Sequence, residues 1–162
     1  AMCAQILEKL SEKSKIKTVL DYGCGAGKWV FIMRSYGLDC VGYDPNLPNK
    51  IEPVLSEHLF KHFKDLESYG KFDLVLVNDV MEHIPESELK EIVDNIISLA
   101  DKFVFCSIAD IRFWEQYKDP THITCRTKSW WINLFESRGL KYIEPPEDWI
   151  FAPQSYIFEV KK

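Results

Sequence analysis

Residues 19 to 29 read VLDYGCGAGKW, an apolar run of strand length that breaks on glycines at positions 23, 25 and 27, with Asp21 in front of them. Few folds use that pattern. A buried strand that passes directly into a helix must turn sharply, and glycine takes the positive φ of such a turn without steric penalty. Glycine also lets a ligand approach the backbone and lets the helix lie close to its strand. The stretch therefore predicts a first strand, a turn with room for a nucleoside-like ligand, and a helix over "AGKWVFIMRSYG" that Gly37 stops.

The rest of the chain repeats this alternation. Ile6, Leu7 and Leu10 suggest a short leading helix, and "DCVGYD", "FDLVLVND" and "KFVFCSI" are apolar runs of strand length. In "PESELKEIVDNIISLA", Pro85 starts a helix, Glu86 and Glu88 suit its positive end, and Leu89, Ile92, Val93, Ile96, Ile97 and Ala100 repeat at helical spacing. "TKSWWINLFESRG" is a further helix, with Thr127 or Ser129 near its start and Gly139 after its end, and "KYIEP" and "SYIFEV" close the chain. Residues 51 to 70 hold either a strand or a helix. Strands that are apolar throughout and alternate with helices predict an α/β, mostly parallel, doubly wound sheet with helices on both faces and an antiparallel hairpin at the C-terminal end. A chain of 162 residues suits a single domain over residues 1–162.

In such sheets ligands bind at the carboxyl ends of the strands, where the strand order reverses. Asp44 ends the second strand, seventeen residues after Gly27, where a carboxylate accepts hydrogen bonds from the hydroxyls of a ribose. Asp21 decides between nucleosides by charge. A dinucleotide sets a pyrophosphate on the helix N-terminus, which a carboxylate at the turn repels. S-adenosylmethionine has no phosphate and carries an ammonium and a sulfonium, which the carboxylate attracts. Together with the glycine spacing, this disfavours a nicotinamide-dependent dehydrogenase.

At these residues the chain resembles the class I S-adenosylmethionine-dependent methyltransferases. "VLDYGCGAG" looks like their first motif, "VGYDPN" their ribose-binding strand end, "FDLVLVNDVMEHIP" their fourth-strand segment, and "DPTHITCRTKSWWINLFESRGL" the late region of many small-molecule members. The resemblance implies a Rossmann-like, seven-stranded sheet and S-adenosyl-L-methionine as cofactor. It further implies that Asp21, Gly23, Cys24 and Gly25 surround the methionine part, that Asp44 and Pro45 hold the ribose, and that Asn78 and Asp79 lie beside the methionine tail. Where the family commonly sets an acidic residue against the adenine, this chain offers His62 and Phe63.

Methyl transfer is an in-line displacement, so the protein has mainly to align a nucleophile and take its proton. His83 in "MEHIP" and His122 in "DPTHIT" are the candidate bases, both on loops at the carboxyl side of the sheet, with Asp79 and Glu82 as alternatives. Asp119 is near enough in sequence to orient His122, while "EHIP" also suits a loop-capping role for His83 and Glu82. Trp130 and Trp131 read as core or subunit contacts, and Trp114 as part of the acceptor pocket. The expected reaction is methylation of a small molecule or saccharide at oxygen. A small-amine N-methyltransferase and a non-catalytic cofactor-binding partner subunit are the alternatives.

A formal charge of −5 and the absence of a Pro-Pro-aromatic sequence after strand four argue against nucleic acid as substrate. Five cysteines without a CxxC pair suit reduced thiols in a cytoplasmic protein, with no metal expected. No stretch is long and apolar enough for a membrane span.

Overall fold

The computed structural model describes residues 2–113 and 119–162, so the expectation for Trp114 falls outside the described residues. Seven strands form one sheet in the order β3-β2-β1-β4-β5-β7-β6. They are β1 (Thr18–Tyr22), β2 (Asp39–Tyr43), β3 (Leu59–Phe60), β4 (Phe72–Asn78), β5 (Ala100–Ser107), β6 (Leu140–Ile143) and β7 (Ser155–Val160). The first five run parallel, and β7 is antiparallel to both β5 and β6, the terminal hairpin that the sequence predicts. Among the described residues four α-helices accompany them: α1 (Met2–Ser11), α2 (Lys28–Ser35), α3 (Glu86–Leu99) and α4 (Lys128–Glu136).

Each face of the sheet has its own apolar layer. On one, Ile6 and Leu10 of α1 and Val30 and Met33 of α2 pack with Val19, Leu74, Leu76 and Phe105. On the other, Leu89, Val93 and Ile96 of α3 and Trp131 and Phe135 of α4 pack with Leu20, Val75, Val77, Val104 and Phe158. Trp131 is therefore core, while Trp130 is half-buried, with the Arg126 guanidinium 5.3 Å from its ring centre. Thr127 caps α4, its side chain accepting the Trp130 N–H. Among the described residues no helix is long and apolar enough to cross a membrane.

Residues 51 to 70 resolve into a two-residue strand flanked by 3-10 turns at Pro53–Leu55 and Phe63–Tyr69. The segment thus supplies the third strand, one of the two alternatives the sequence leaves open, in a piece too short to carry a period of its own.

Because β1 pairs with β2 on one side and β4 on the other, the strand order reverses at β1, and the tops of these three strands adjoin. The contact between β2 and the glycine turn is tight. A methyl on Gly42 would lie 2.7 Å from the Cβ and Sγ of Cys24 and 2.9 Å from the Leu59 side chain. Gly42→Ala is therefore expected to destabilise the chain by about 1 to 3 kcal/mol through overpacking. Thermal denaturation reads this as a fall in Tm of several degrees, and an unchanged Tm would contradict the packing described.

Candidate functional site

The turn after β1 follows the sequence expectation. Gly23 has φ 84° and donates its N–H to the Tyr43 carbonyl at 2.7 Å, and any side chain there would strike Val80. Gly25 has φ 53° and a Cβ there would meet nothing within 4 Å, so its backbone faces open space. The Gly25 N–H donates to Asp44 Oδ2 at 2.9 Å, and Asp44 Oδ1 accepts from the Asn46 N–H at 2.8 Å. Two backbone donors thus fix the Asp44 carboxylate at the end of β2 while each oxygen keeps acceptor capacity.

Asp21 is opposite Leu76 in the β1–β4 register, and Asn78 follows two residues later, so both side chains lie on the same face of adjacent strands. Asp21 is 2% exposed and its Oδ1 has no hydrogen-bond partner among the described residues; Asn78 Oδ1 and Nδ2 are buried in the same condition. Burial first, and the nearby Asp44 second, push the Asp21 carboxyl up to about 7. Three unanswered polar atoms at adjoining strand ends are costly in a folded chain, and a polar ligand is one explanation for such groups.

A cavity of about 470 Å³ lies beside the ends of β1, β2 and β4; Gly23, Tyr43, Asp44, Pro45, Asp79 and His83 are among its lining residues, and Asp21 and Asn78 are not. Cys24 and His62 are placed differently. Cys24 turns its thiol into the core against Gly42, where burial and then Asp21 push the thiol up to about 12. His62 is exposed just before a 3-10 turn and does not line the cavity; Phe63 packs edge-on to Tyr43 at 5.7 Å and reaches the cavity only through that ring. Asp79 is the one described non-glycine residue with positive φ, 52°, and is held there by Ser107, whose hydroxyl donates to Asp79 Oδ1 at 2.9 Å.

Asp79 and His83 also line a second cavity of about 390 Å³, together with Glu82, Asp119, His122 and Thr124. Two loops are tied together here. The Glu82 carbonyl accepts the N–H groups of Ile123 and Thr124 at 2.9 and 3.0 Å, and His83 Nδ1 is 3.0 Å from the Thr121 carbonyl. The imidazoles of His83 and His122 meet edge to face with centres 4.8 Å apart, and His122 Nε2 is 3.5 Å from Asp119 Oδ2. Glu82 is 2% exposed; Oε1 accepts the Ala109 N–H at 3.2 Å, while Oε2 has no partner among the described residues. Burial first, with the charge of Asp79 adding to it, raises the Glu82 carboxyl above its ordinary range.

A family model described as a methyltransferase domain matches residues 1–145. The chain belongs to this methyltransferase family. No curated protein sequence matches it. Among solved structures, a SAM-dependent methyltransferase from Archaeoglobus fulgidus superposes with a TM-score of 0.64 at 17% identity, covering 98% of this chain and 94% of the other. Magnesium protoporphyrin IX methyltransferase from Synechocystis PCC 6803 with bound SAM gives 0.67 at 19% identity, covering 98% and 76%. A Burkholderia thailandensis 1,6-didemethyltoxoflavin-N1-methyltransferase gives 0.69 at 16%, covering 98% and 75%. The methyltransferase thus has the Rossmann-like fold that these solved methyltransferases share.

Proposed function

We propose that this methyltransferase binds S-adenosylmethionine across the carboxyl ends of β1, β2 and β4 and methylates an oxygen of a small molecule or saccharide in the adjoining histidine-lined cavity. The residues present fit the donor. Asp21 Oδ1 and the Asn78 amide supply unanswered polar atoms for a tail bearing an ammonium and a carboxylate, Gly25 leaves the backbone open, and Asp44 presents a fixed carboxylate to ribose hydroxyls. The sulfonium supplies a methyl already activated for displacement.

The observation that carries the acceptor reading is that Asp79 and His83 line both cavities, which sets the histidine pair beside the donor cleft. His122, with the Asp119 carboxylate beside it, is assigned the proton of the acceptor hydroxyl, and His83 holds the ring pair in place. The second cavity continues through Asp110 and Ile111 into a larger one of about 740 Å³, where Trp149 and the charged groups of Arg112, Lys128 and Glu144 line the wall. A wall that joins an aromatic ring to polar side chains suits a saccharide-sized acceptor.

Asp44→Ala is expected to weaken S-adenosylmethionine binding by about 1 to 3 kcal/mol, since the ribose loses a charged acceptor. An unchanged dissociation constant by calorimetry would remove the ribose assignment. The acceptor class is tested by incubating the chain with methyl-labelled S-adenosylmethionine and parallel panels of saccharides, phenols and small amines. O-methyl products support the proposal. N-methyl products alone would replace it with amine methylation, a reading that the carboxylates of Asp79, Glu82 and Asp119 around the second cavity favour next.

A further inference from the structure

We propose that Glu82, His83 and His122 hold a divalent cation at the edge of the donor cleft. One carboxylate oxygen of Glu82 and one nitrogen from each imidazole lie within 4.8 Å of one another. Donors about 2.1 Å from a common ion stand roughly 3 to 4.3 Å apart, so small rotations of the two imidazoles close the set. The sequence concealed the grouping because His122 comes from a different loop, which the Glu82 carbonyl and the Thr121 carbonyl tie to the first.

An independent observation points to a ligand here. Glu82 is 2% exposed, yet its Oε2 has no hydrogen-bond partner among the described residues, although the residue lines the cavity that both histidines line. Buried carboxylate oxygens are normally answered, and a cation answers this one. The surroundings suit that role. With Nδ1–H donated to the Thr121 carbonyl, His83 keeps its lone pair on Nε2, and the Asp119 carboxylate flanks the ring of His122; metal-bound imidazoles are oriented by such partners. Two imidazoles and one carboxylate leave coordination positions open, and that donor set suits a first-row divalent ion such as Mn²⁺, Co²⁺ or Zn²⁺.

The use of the ion rests on the oxygen-acceptor reading and refines the role assigned to His122. An acceptor hydroxyl bound to the cation loses its proton to solvent near neutral pH, since the ion stabilises the oxyanion. That oxygen then bonds to the methyl carbon as the carbon–sulfur bond breaks, leaving the neutral thioether. The two imidazoles act through the ion.

The test is calorimetric titration of the chelator-treated full chain with MnCl₂ and CoCl₂, without acceptor, on wild type, Glu82→Gln and His122→Ala. Glu82→Gln keeps an acceptor for the Ala109 N–H, and S-adenosylmethionine affinity together with the melting curve shows that each variant is folded. The expected result is one cation per chain at micromolar affinity, weakened about 100-fold or more by either substitution while the donor still binds. No binding at millimolar cation, or binding indifferent to both substitutions, would overturn the site. Cation binding without any O-methyl product would keep the site and remove the oxygen reading. Full O-methylation after chelation would keep that reading and remove the cation from it.

Discussion

Turnover of an oxygen acceptor is expected to fall by about 10²-fold or more in His122→Ala, with the affinity for S-adenosylmethionine near that of wild type. The separation of the two effects follows from the lining of the cavities. His122 faces the second cavity and does not line the first, where Gly23, Asp44 and Pro45 lie. Its removal takes away a group that acts on the acceptor hydroxyl, directly as its base or through the cation, and leaves the donor cleft intact. Steady-state kinetics and a donor titration on one preparation check the result. Equal loss of both would make His122 a structural residue, acting through the loop contacts that tie residues 121 to 124 to Glu82 and His83.

Asp21→Asn is expected to move stability and binding in opposite directions. The Asp21 carboxyl is held at about 7 in the folded chain, against an ordinary 3.8, mainly because it is buried. The folded state therefore retains a proton that the unfolded state loses between about pH 4 and pH 7. The contribution of this group to stability falls as pH rises through that window and stays low above it, by at most about 4 kcal/mol in all. A neutral asparagine avoids that penalty, so the unliganded variant melts higher than wild type at pH 8 and gains little at pH 4. Its affinity for S-adenosylmethionine falls about 10²-fold, because the ammonium and sulfonium lose an ionised partner. Wild-type affinity accordingly weakens as pH drops below 7. A variant that binds the donor like wild type, with no gain in Tm at pH 8, would show that Asp21 does not seat the cationic tail.

Much of this site is legible in the sequence because its parts are local. The glycine turn, the Asp44 strand end and the long apolar strands each declare themselves within a dozen residues, and β1, β2, β4 and β5 and helices α2, α3 and α4 follow those signals. What the sequence hides is long-range or very short. β3 has two residues and no period. Cys24 lies inside the motif, yet its thiol turns toward Gly42, because Gly42 leaves space that no local pattern reports. His62 falls where an adenine contact was expected and is exposed, since the chain there is a 3-10 turn with its own direction. His83 and His122 read as competing bases in the sequence and are neighbours in space. Glu82 reads as a loop support; it is one, through Ala109, and it also lines the second cavity while one of its buried oxygens stays unanswered among the described residues.

In the proposed donor site, the ends of β1, β2 and β4 hold S-adenosylmethionine through Asp21, Asn78 and Asp44. Calorimetric titration of wild type, Asp21→Asn and Asp44→Ala with S-adenosylmethionine and S-adenosylhomocysteine tests it most directly. Micromolar binding of both ligands by wild type is expected, weakened by both substitutions, with Asp21→Asn costing S-adenosylmethionine more than S-adenosylhomocysteine because only the former carries the sulfonium charge. Affinities untouched by either substitution would place the donor elsewhere on the fold.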